Sequence, residues 1–508
     1  MGSEGGDVPA VRPECGSGAS HATCSRGGDL LHEARVDERT DVAGHRGLRH
    51  SQIVVETTPG DSGSRADLVE APGRTGDGCG EVRSRGEAGC GHGLQDNSVH
   101  GEKTDRSVYR FTANEMLAAL ADRMVYSSVM TDSQNITLHW FLPTSGDSRE
   151  IVGGGHGAGP ETGERLPDLD YLTQVARAAE YNGFESVLTP TGRWCQDAWV
   201  TTAALLASTS RLKFLVALRP GLIGPTLTAH QALTYQELSD NRLLLNVVVG
   251  GEDAEQKAFG DYTTKAERYE IADETLEIAD HLWHSTEPLT FHGKHLDVEG
   301  AALRRQPAVS PPVFLGGSSD EGIEVAAKRA DVYLTWGEPP TQVAEKIARV
   351  RDRASSFDRT LEYGVRLHVI ARPTADEAWA EAQRLLDSLD PERVRAAQAG
   401  LATSQSEGQR RMTELHGAGA DFSSGQDARR FEIAPNLWAG IGLVRGGAGT
   451  ALVGSYEEVA ERIDDYRQAG IAHVILSGVP HLEETFRVGE GVVPALRARG
   501  VTVTNVDA

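Results

Sequence analysis

The sequence predicts an α/β fold, a TIM (β/α)8 barrel, and three observations point to it. From Ile136 onward, eight short β-rich apolar runs alternate with amphipathic helical stretches, the pattern of repeated βα units and a parallel sheet. No Gly-rich GxGxxG turn follows the first run, where FLPTSGDSRE stands instead, so an open doubly wound sheet is the weaker alternative. Two connections are far longer than strand-to-helix loops need to be. The runs are ITLHWFL (136–142), ESVLTP (185–190), KFLVAL (213–218) and LLLNVVV (243–249), then PVFLGG (312–317), DVYLTW (331–336), EYGVRLHVI (362–370) and HVILSG (473–478). Between them lie segments such as YLTQVARAAEYNG, with apolar positions at helical spacing and Gly183 as a C-terminal stop. The long insertions, 250–311 after the fourth strand and roughly 389–450 after the seventh, would overhang the C-terminal face of the barrel, where chemistry occurs. Both are lid candidates.

Before this region the texture is different. From Met1 to about Ser107 the chain is rich in Gly, Arg, Asp, Ser and His and has almost no apolar periodicity. Residues 1–130 are therefore expected to be a disordered or spurious N-terminal extension, with Met130 as a candidate start, and 131–508 to be the barrel domain. A short helix is expected in FTANEMLAALADRMV. The Cys and His spacings of the extension match no zinc pattern, so no metal is expected. Cys15, Cys24, Cys79 and Cys90 all lie in the extension and only Cys195 lies beyond it, which is no disulfide framework. No run approaches the roughly 18 apolar residues of a membrane span, and no basic region with an apolar core opens the chain, so a cytoplasmic protein is expected. A formal charge of -24 disfavours nucleic acid and anionic membranes, so an anionic substrate would need local attraction.

Several residues could supply that attraction. In Val365-Arg366-Leu367-His368-Val369 strand alternation puts Arg366 and His368 on one face and the aliphatics on the other. In a barrel the basic pair would face the axis near the mouth, whereas on an edge strand it would face solvent. Arg445, in GIGLVRGGAGTALVG, precedes three glycines that could hinge a lid or form an ordinary surface turn. His481 follows the last strand in LSGVPHLEE, at the first turn of a helix, as a mouth residue or a cap. Cys195 in TPTGRWCQDAW sits at the same rim or is a small core residue. In LGGSSDEG the hydroxyls and N–H groups of Ser318 and Ser319, ahead of a helix beginning near Asp320, could hold a phosphate or serve as a plain N-cap.

Taken together, TPTGRWCQDAW, FLVALRPGLIGPT, DVYLTWGEPP, GVRLHVIAR, NLWAGIGLVRGGAGTALVGS and LSGVPHLEE resemble, in order, the signature blocks of the alkanesulfonate monooxygenase branch of the bacterial luciferase-like flavin family, from about Ile136 to Arg499. The resemblance implies a TIM barrel that binds reduced FMN (FMNH2) from a separate NAD(P)H-dependent flavin reductase. It implies that oxygen added to the flavin oxidises the carbon bearing a sulfonate, releasing aldehyde and sulfite. A cytoplasmic homo-oligomer, dimer or tetramer, is the family habit. By the same resemblance Arg366, His368 and His481 match active-site cations, Arg445 a lid arginine and Trp336 a substrate-side aromatic. Cys195 matches a cysteine beside the flavin, Ser318, Ser319 and Tyr269 positions near the FMN phosphate, and Asn246 one near the isoalloxazine.

The chain departs from the family at three places. Val479 stands where members have a tyrosine before Pro480, PTSGD (143–147) where they read PTHGD, and Lys265 where a histidine is usual, keeping a cation that could serve phosphate. Val479 would favour a bulkier or less polar substrate tail, or Phe486 would fill the space. Two other functions remain open at this stage: a deazaflavin-dependent oxidoreductase of the same fold, and a barrel that binds flavin or sulfonate without turnover.

Overall fold

The strands are apolar on both faces because both faces are covered. In this computed structural model, which describes residues 135–153, 163–417 and 422–504, all eight runs are strands. They are β1 (Asn135–Phe141), β2 (Ser186–Thr189), β3 (Lys213–Leu218), β4 (Leu243–Val247), β5 (Val313–Gly316), β6 (Val332–Trp336), β7 (Glu362–Arg372) and β8 (His473–Ser477). Each pairs in parallel with the next, and β8 pairs with β1, Thr137 opposite His473, which closes the barrel. The expected extension over 1–130 and the helix expected within it lie outside the described residues.

Alternation along each strand sorts its side chains. Phe141, Leu188, Leu215, Leu244, Phe314, Val332 and Ile475 form one cluster inside the barrel. Ile136, Leu138 and Trp140, with Val365, Leu367 and Val369, pack outward against helices such as Leu169–Tyr181 and Val343 and Ile347 of Pro340–Ser355. The aliphatic face of β7 thus meets the helices, as the sequence pattern requires. Helix starts follow local chemistry: Asp168 and Ser319 cap Leu169–Tyr181 and Asp320–Arg329, and Thr264 and Glu267 form a reciprocal capping box on Lys265–His284. No helix among the described residues is long and apolar enough to cross a membrane.

Both insertions are structured. The first carries helices Asp253–Ala258 and Lys265–His284 and a hairpin, Leu289–His292 with Asp297–Ala301. The second carries helices Pro391–Leu401 and Glu407–His416 and a short antiparallel pair, Glu432–Ala434 with Leu437–Trp438. It ends in a strand that the eight runs did not include, Ala451–Ser455, parallel to the upper half of β7 with Ala451 opposite His368 and Ser455 opposite Arg372. The eleven residues of β7 allow this: its lower half holds β6 on the same side, from Val332 opposite Glu362 to Trp336 opposite Arg366. The insertion packs Phe431, Trp438 and Leu443 into a second apolar cluster with Ile370 of β7 and Trp379 of helix Ala375–Asp387.

Candidate active site

At the C-terminal ends of the strands lies a cavity of about 240 Å³, lined by residues from β1, β4, β6, β7 and both insertions. Phe141, the last residue of β1, forms one wall. The alternation of β7 turns Arg366 and His368 into this space. The Arg366 guanidinium lies 4.7 Å over the Phe141 ring, and its Nη1 donates to the Leu367 carbonyl at 2.6 Å. Arg445, from the second insertion, stands 5.9 Å from the same ring and donates to the Val152 carbonyl at 3.2 Å. The His481 ring lies 5.6 Å from Phe141, with Nδ1 2.9 Å from Asp147 Oδ1. His368 Nδ1 lies 2.8 Å from Ser477 Oγ. The Nε2 atoms of His368 and His481 are buried with no hydrogen-bond partner among the described residues.

Arg366, Arg445 and His481 therefore gather around one phenyl ring, with His368 close enough to feel all three; His481 itself stands outside the cavity lining, behind Phe141. Burial, and then the neighbouring charge of Arg445, push the Arg366 guanidinium down from its ordinary range; among the described residues no carboxylate offsets it. Burial, followed by Arg366, Arg445 and His481, pushes His368 well below the ordinary 6.5, so its imidazole is neutral at neutral pH. Burial opposes the charge of Asp147, but the charge and hydrogen bonds of His481, with the Tyr171 hydroxyl, hold its carboxyl below the usual range.

The other end of the cavity is a polar cradle. Gly316, Gly317, Ser318 and Ser319 lead into helix Asp320–Arg329, and Lys265, Tyr269 and Asn246 complete the lining. A Cβ on Gly317 would stand 3.0 Å from the Tyr269 hydroxyl, so glycine lets turn and phenol touch. Lys265 Nζ donates to the Gln405 carbonyl at 2.8 Å, and burial pushes its ammonium down. A helix N-terminus, two hydroxyls, a phenol and an ammonium are the donor set of a phosphate site. Between the ends, Leu188, Ala217, Val247 and Ile475 offer an apolar floor for a planar ring. The residues present thus fit a flavin mononucleotide.

Trp336, at the end of β6, lines the cavity against Gly408 of the second insertion, where a Cβ would stand 3.0 Å from the indole. The Arg445 loop is packed down: Gly446, Gly447 and Ala448 are buried and line the cavity. The Gly447 N–H donates to Gln409 Oε1 at 2.8 Å, and Thr450 Oγ1 to the Gly337 carbonyl at 2.7 Å. With φ at 91°, Gly447 occupies backbone space that a side chain would strain. Cys195 stands behind the wall formed by Pro190, Thr191 and Trp194, its Sγ facing the Pro190 and Gly192 carbonyls at 3.7 and 3.5 Å. Burial pushes its thiol up to about 12, so it is neutral. Val479 packs on the second apolar cluster and is outside the cavity lining. Sequence reasoning missed Phe141, Asp147 and Tyr171; the signal for Phe141 was its place at the end of the inward register of β1.

The model of the luciferase-like monooxygenase family matches residues 137–473. The chain belongs to the luciferase-like monooxygenase family. Solved structures that resemble this luciferase-like barrel include the following three. A riboflavin lyase (RcaE), solved with modified FMN and riboflavin, aligns with a TM-score of 0.58 at 22% identity over 74% of this chain and 94% of that chain. A long-chain alkane monooxygenase (LadA) gives 0.58 at 20% identity over 73% and 93% of the two chains. DmoA from Hyphomicrobium sulfonivorans gives 0.58 at 20% identity over 72% and 89%. At these identities the likeness speaks for the barrel alone.

Proposed function

We propose that this luciferase-like monooxygenase takes reduced FMN from a separate NAD(P)H-dependent flavin reductase and uses O2 to convert a small alkanesulfonate to an aldehyde and sulfite. The observation that carries the reading is Arg366, a buried cation on a barrel strand, pressed by Arg445 and offset by no carboxylate among the described residues. Such a group stabilises a bound anion more than it stabilises the empty fold. A sulfonate spreads one charge over three oxygens and suits the fork of a guanidinium with imidazole donors beside it.

Ser318, Ser319, Lys265 and Tyr269 would hold the FMN phosphate, and Asn246 would meet the ring system; bound FMN supplies the activation of O2. The remaining tasks belong to the chain. Arg366 and Arg445 bind and orient the sulfonate, with Trp336 against its tail. Neutral His368 and carboxylate-backed His481 supply Nε2 atoms for proton transfer. The Cys195 thiol, kept protonated and turned to the Pro190 and Gly192 carbonyls, steadies the wall of the cavity rather than acting as a nucleophile. The insertion that carries Arg445 and Gly408 excludes water, which strengthens each charge contact. The test is sulfite release from a panel of methyl to decyl sulfonates with reduced FMN and O2. Wild type should release sulfite and Arg366→Ala should lose most of it; absence of sulfite from every sulfonate would overturn the reading.

A further inference from the structure

Asp147 lies in the loop after β1 and is 2% exposed. Its Oδ1 accepts the Ser148 backbone N–H at 2.9 Å and lies 2.9 Å from His481 Nδ1. Its Oδ2 accepts the Tyr171 hydroxyl and, at 2.7 Å, the His481 backbone N–H. An ionised carboxylate only accepts, so His481 must present an N–H at Nδ1, and whenever the ring is neutral its lone pair sits on Nε2. That Nε2 is the buried atom without a partner among the described residues. His368 is held differently: Ser477 Oγ can donate or accept, so it dictates no tautomer.

The loop that carries the carboxylate is fastened to the helix that carries the histidine. Asp147 and Arg165 exchange backbone hydrogen bonds at 2.9 and 2.8 Å, and Arg165 binds Glu483 through both its terminal nitrogens, at 2.8 and 2.5 Å. Glu483 and His481 share helix His481–Arg487. Gly146, with φ at 105°, lets the loop pass where a Cβ would stand 2.9 Å from the Arg165 carbonyl. Rigid support of this kind is what a histidine of fixed orientation needs.

Building on the reading of the cavity as a desulfonation site, we propose that Asp147 is a positioning residue: with Tyr171 steadying it, it fixes His481 as the Nδ1–H tautomer and leaves Nε2 to accept a proton from substrate bound beside Phe141. The step breaks one substrate X–H bond and forms Nε2–H, with the X–H electron pair staying on the substrate; the imidazolium charge is offset by Asp147, which remains ionised. Asp147→Asn tests this sharply. Each carboxylate oxygen accepts a backbone N–H, that of Ser148 at Oδ1 and that of His481 at Oδ2, so an amide NH2 opposes one of them in either orientation and the neutral side chain no longer holds the proton on Nδ1.

The experiment is 15N NMR of histidine-labelled protein, with the His481 signals identified by their loss in His481→Gln, alongside sulfite-release kinetics. Wild type should carry its proton on Nδ1. Asp147→Asn should shift the proton from Nδ1 toward Nε2 and lose about 100-fold or more in kcat with little change in KM. Tyr171→Phe should keep the Nδ1–H tautomer and lose roughly tenfold or less. A wild-type ring protonated on Nε2 overturns the proposal even if Asp147→Asn does not fold, and so does an Asp147→Asn protein with unchanged tautomer and kcat. Absence of sulfite from wild type would instead refute the desulfonation reading, while the tautomer, measured without substrate, still decides whether Asp147 sets the ring.

Discussion

Replacing Arg366 by methionine keeps an unbranched stem and removes the guanidinium, and the structure sets the size of two opposite effects. In the empty barrel, burial and Arg445 press the Arg366 guanidinium down to about 9. Against an ordinary value above 12, and at about 1.4 kcal/mol for each pH unit, the charged form carries about 4 kcal/mol of strain. The variant gives up a cation–π contact with Phe141 and a hydrogen bond to Leu367, each worth about 1 kcal/mol. The net is about 2 kcal/mol in favour of the variant. For a barrel spanning residues 135–504, an unfolding entropy of about 0.75 kcal/mol/K turns this into a Tm higher by about 3 °C. Anion binding moves the other way. A sulfonate at about 100 times its Kd should stabilise wild type by about 2.7 kcal/mol, or about 4 °C, and the variant hardly at all. Scanning calorimetry with and without sulfonate, beside sulfite release, reads both effects. A variant that melts several degrees below wild type and still gains stability from sulfonate would refute the assignment of Arg366 as the anion site.

Three further outcomes follow from particular contacts. Gly317→Ala puts a Cβ 3.0 Å from the Tyr269 hydroxyl and 3.1 Å from the Gly322 Cα, so the turn must shift; FMN affinity, read by fluorescence titration, should fall about tenfold, whereas unchanged affinity would place the phosphate elsewhere. His139 is buried between Ser186 and His473, and burial, then His473 and Lys213, hold it well below 6.5. The unfolded chain therefore takes up a proton below about pH 6.5 that the folded chain refuses, so its contribution is intact above that pH and is lost on acidification at about 1.4 kcal/mol per pH unit. Denaturant midpoints should fall less between pH 7 and pH 5 in His139→Gln than in wild type; equal slopes would refute this. The comparison is needed because Glu484, which burial pushes up to about 7, works in the opposite sense. Finally, the Cys195 thiol, pushed up to about 12, should alkylate with iodoacetamide far more slowly at pH 8 than a free thiol, and a fast reaction would show a thiolate there.

The barrel was legible because parallel strands covered on both sides leave near-continuous apolar runs, and all eight were read within a few residues of their bounds. Arg366 and His368 were legible for a related reason: two polar residues at alternate positions of an apolar run must share a face. Ala451–Ser455 was hidden because a five-residue run behind Gly446, Gly447 and Gly449 reads as the end of a loop. Asp147 was hidden more deeply, since nothing within a loop of Pro, Thr, Ser and Gly marks the partner of a histidine 334 positions away. Local pattern shows which way a strand residue faces. It does not show which loop will meet it there.

The same distinction separates the fixed and adjustable parts of the site. Arg366 and His368 lie on a strand hydrogen-bonded to β6, β8 and Ala451–Ser455, so displacing either means breaking a ladder shared by four strands. Arg445 is carried instead by an insertion, joined to the rest of the domain near the cavity by contacts such as the Arg445–Val152 and Thr450–Gly337 hydrogen bonds. Each is worth about 1 kcal/mol, little enough for substrate binding to offset. Variation in substrate tail should therefore be absorbed by the insertion, while the position of the anion against Arg366 stays constant. On this argument a cavity that accepts longer sulfonates would arise from changes at Trp336, Gly408 or the Arg445 loop, and the same anion site would serve them all.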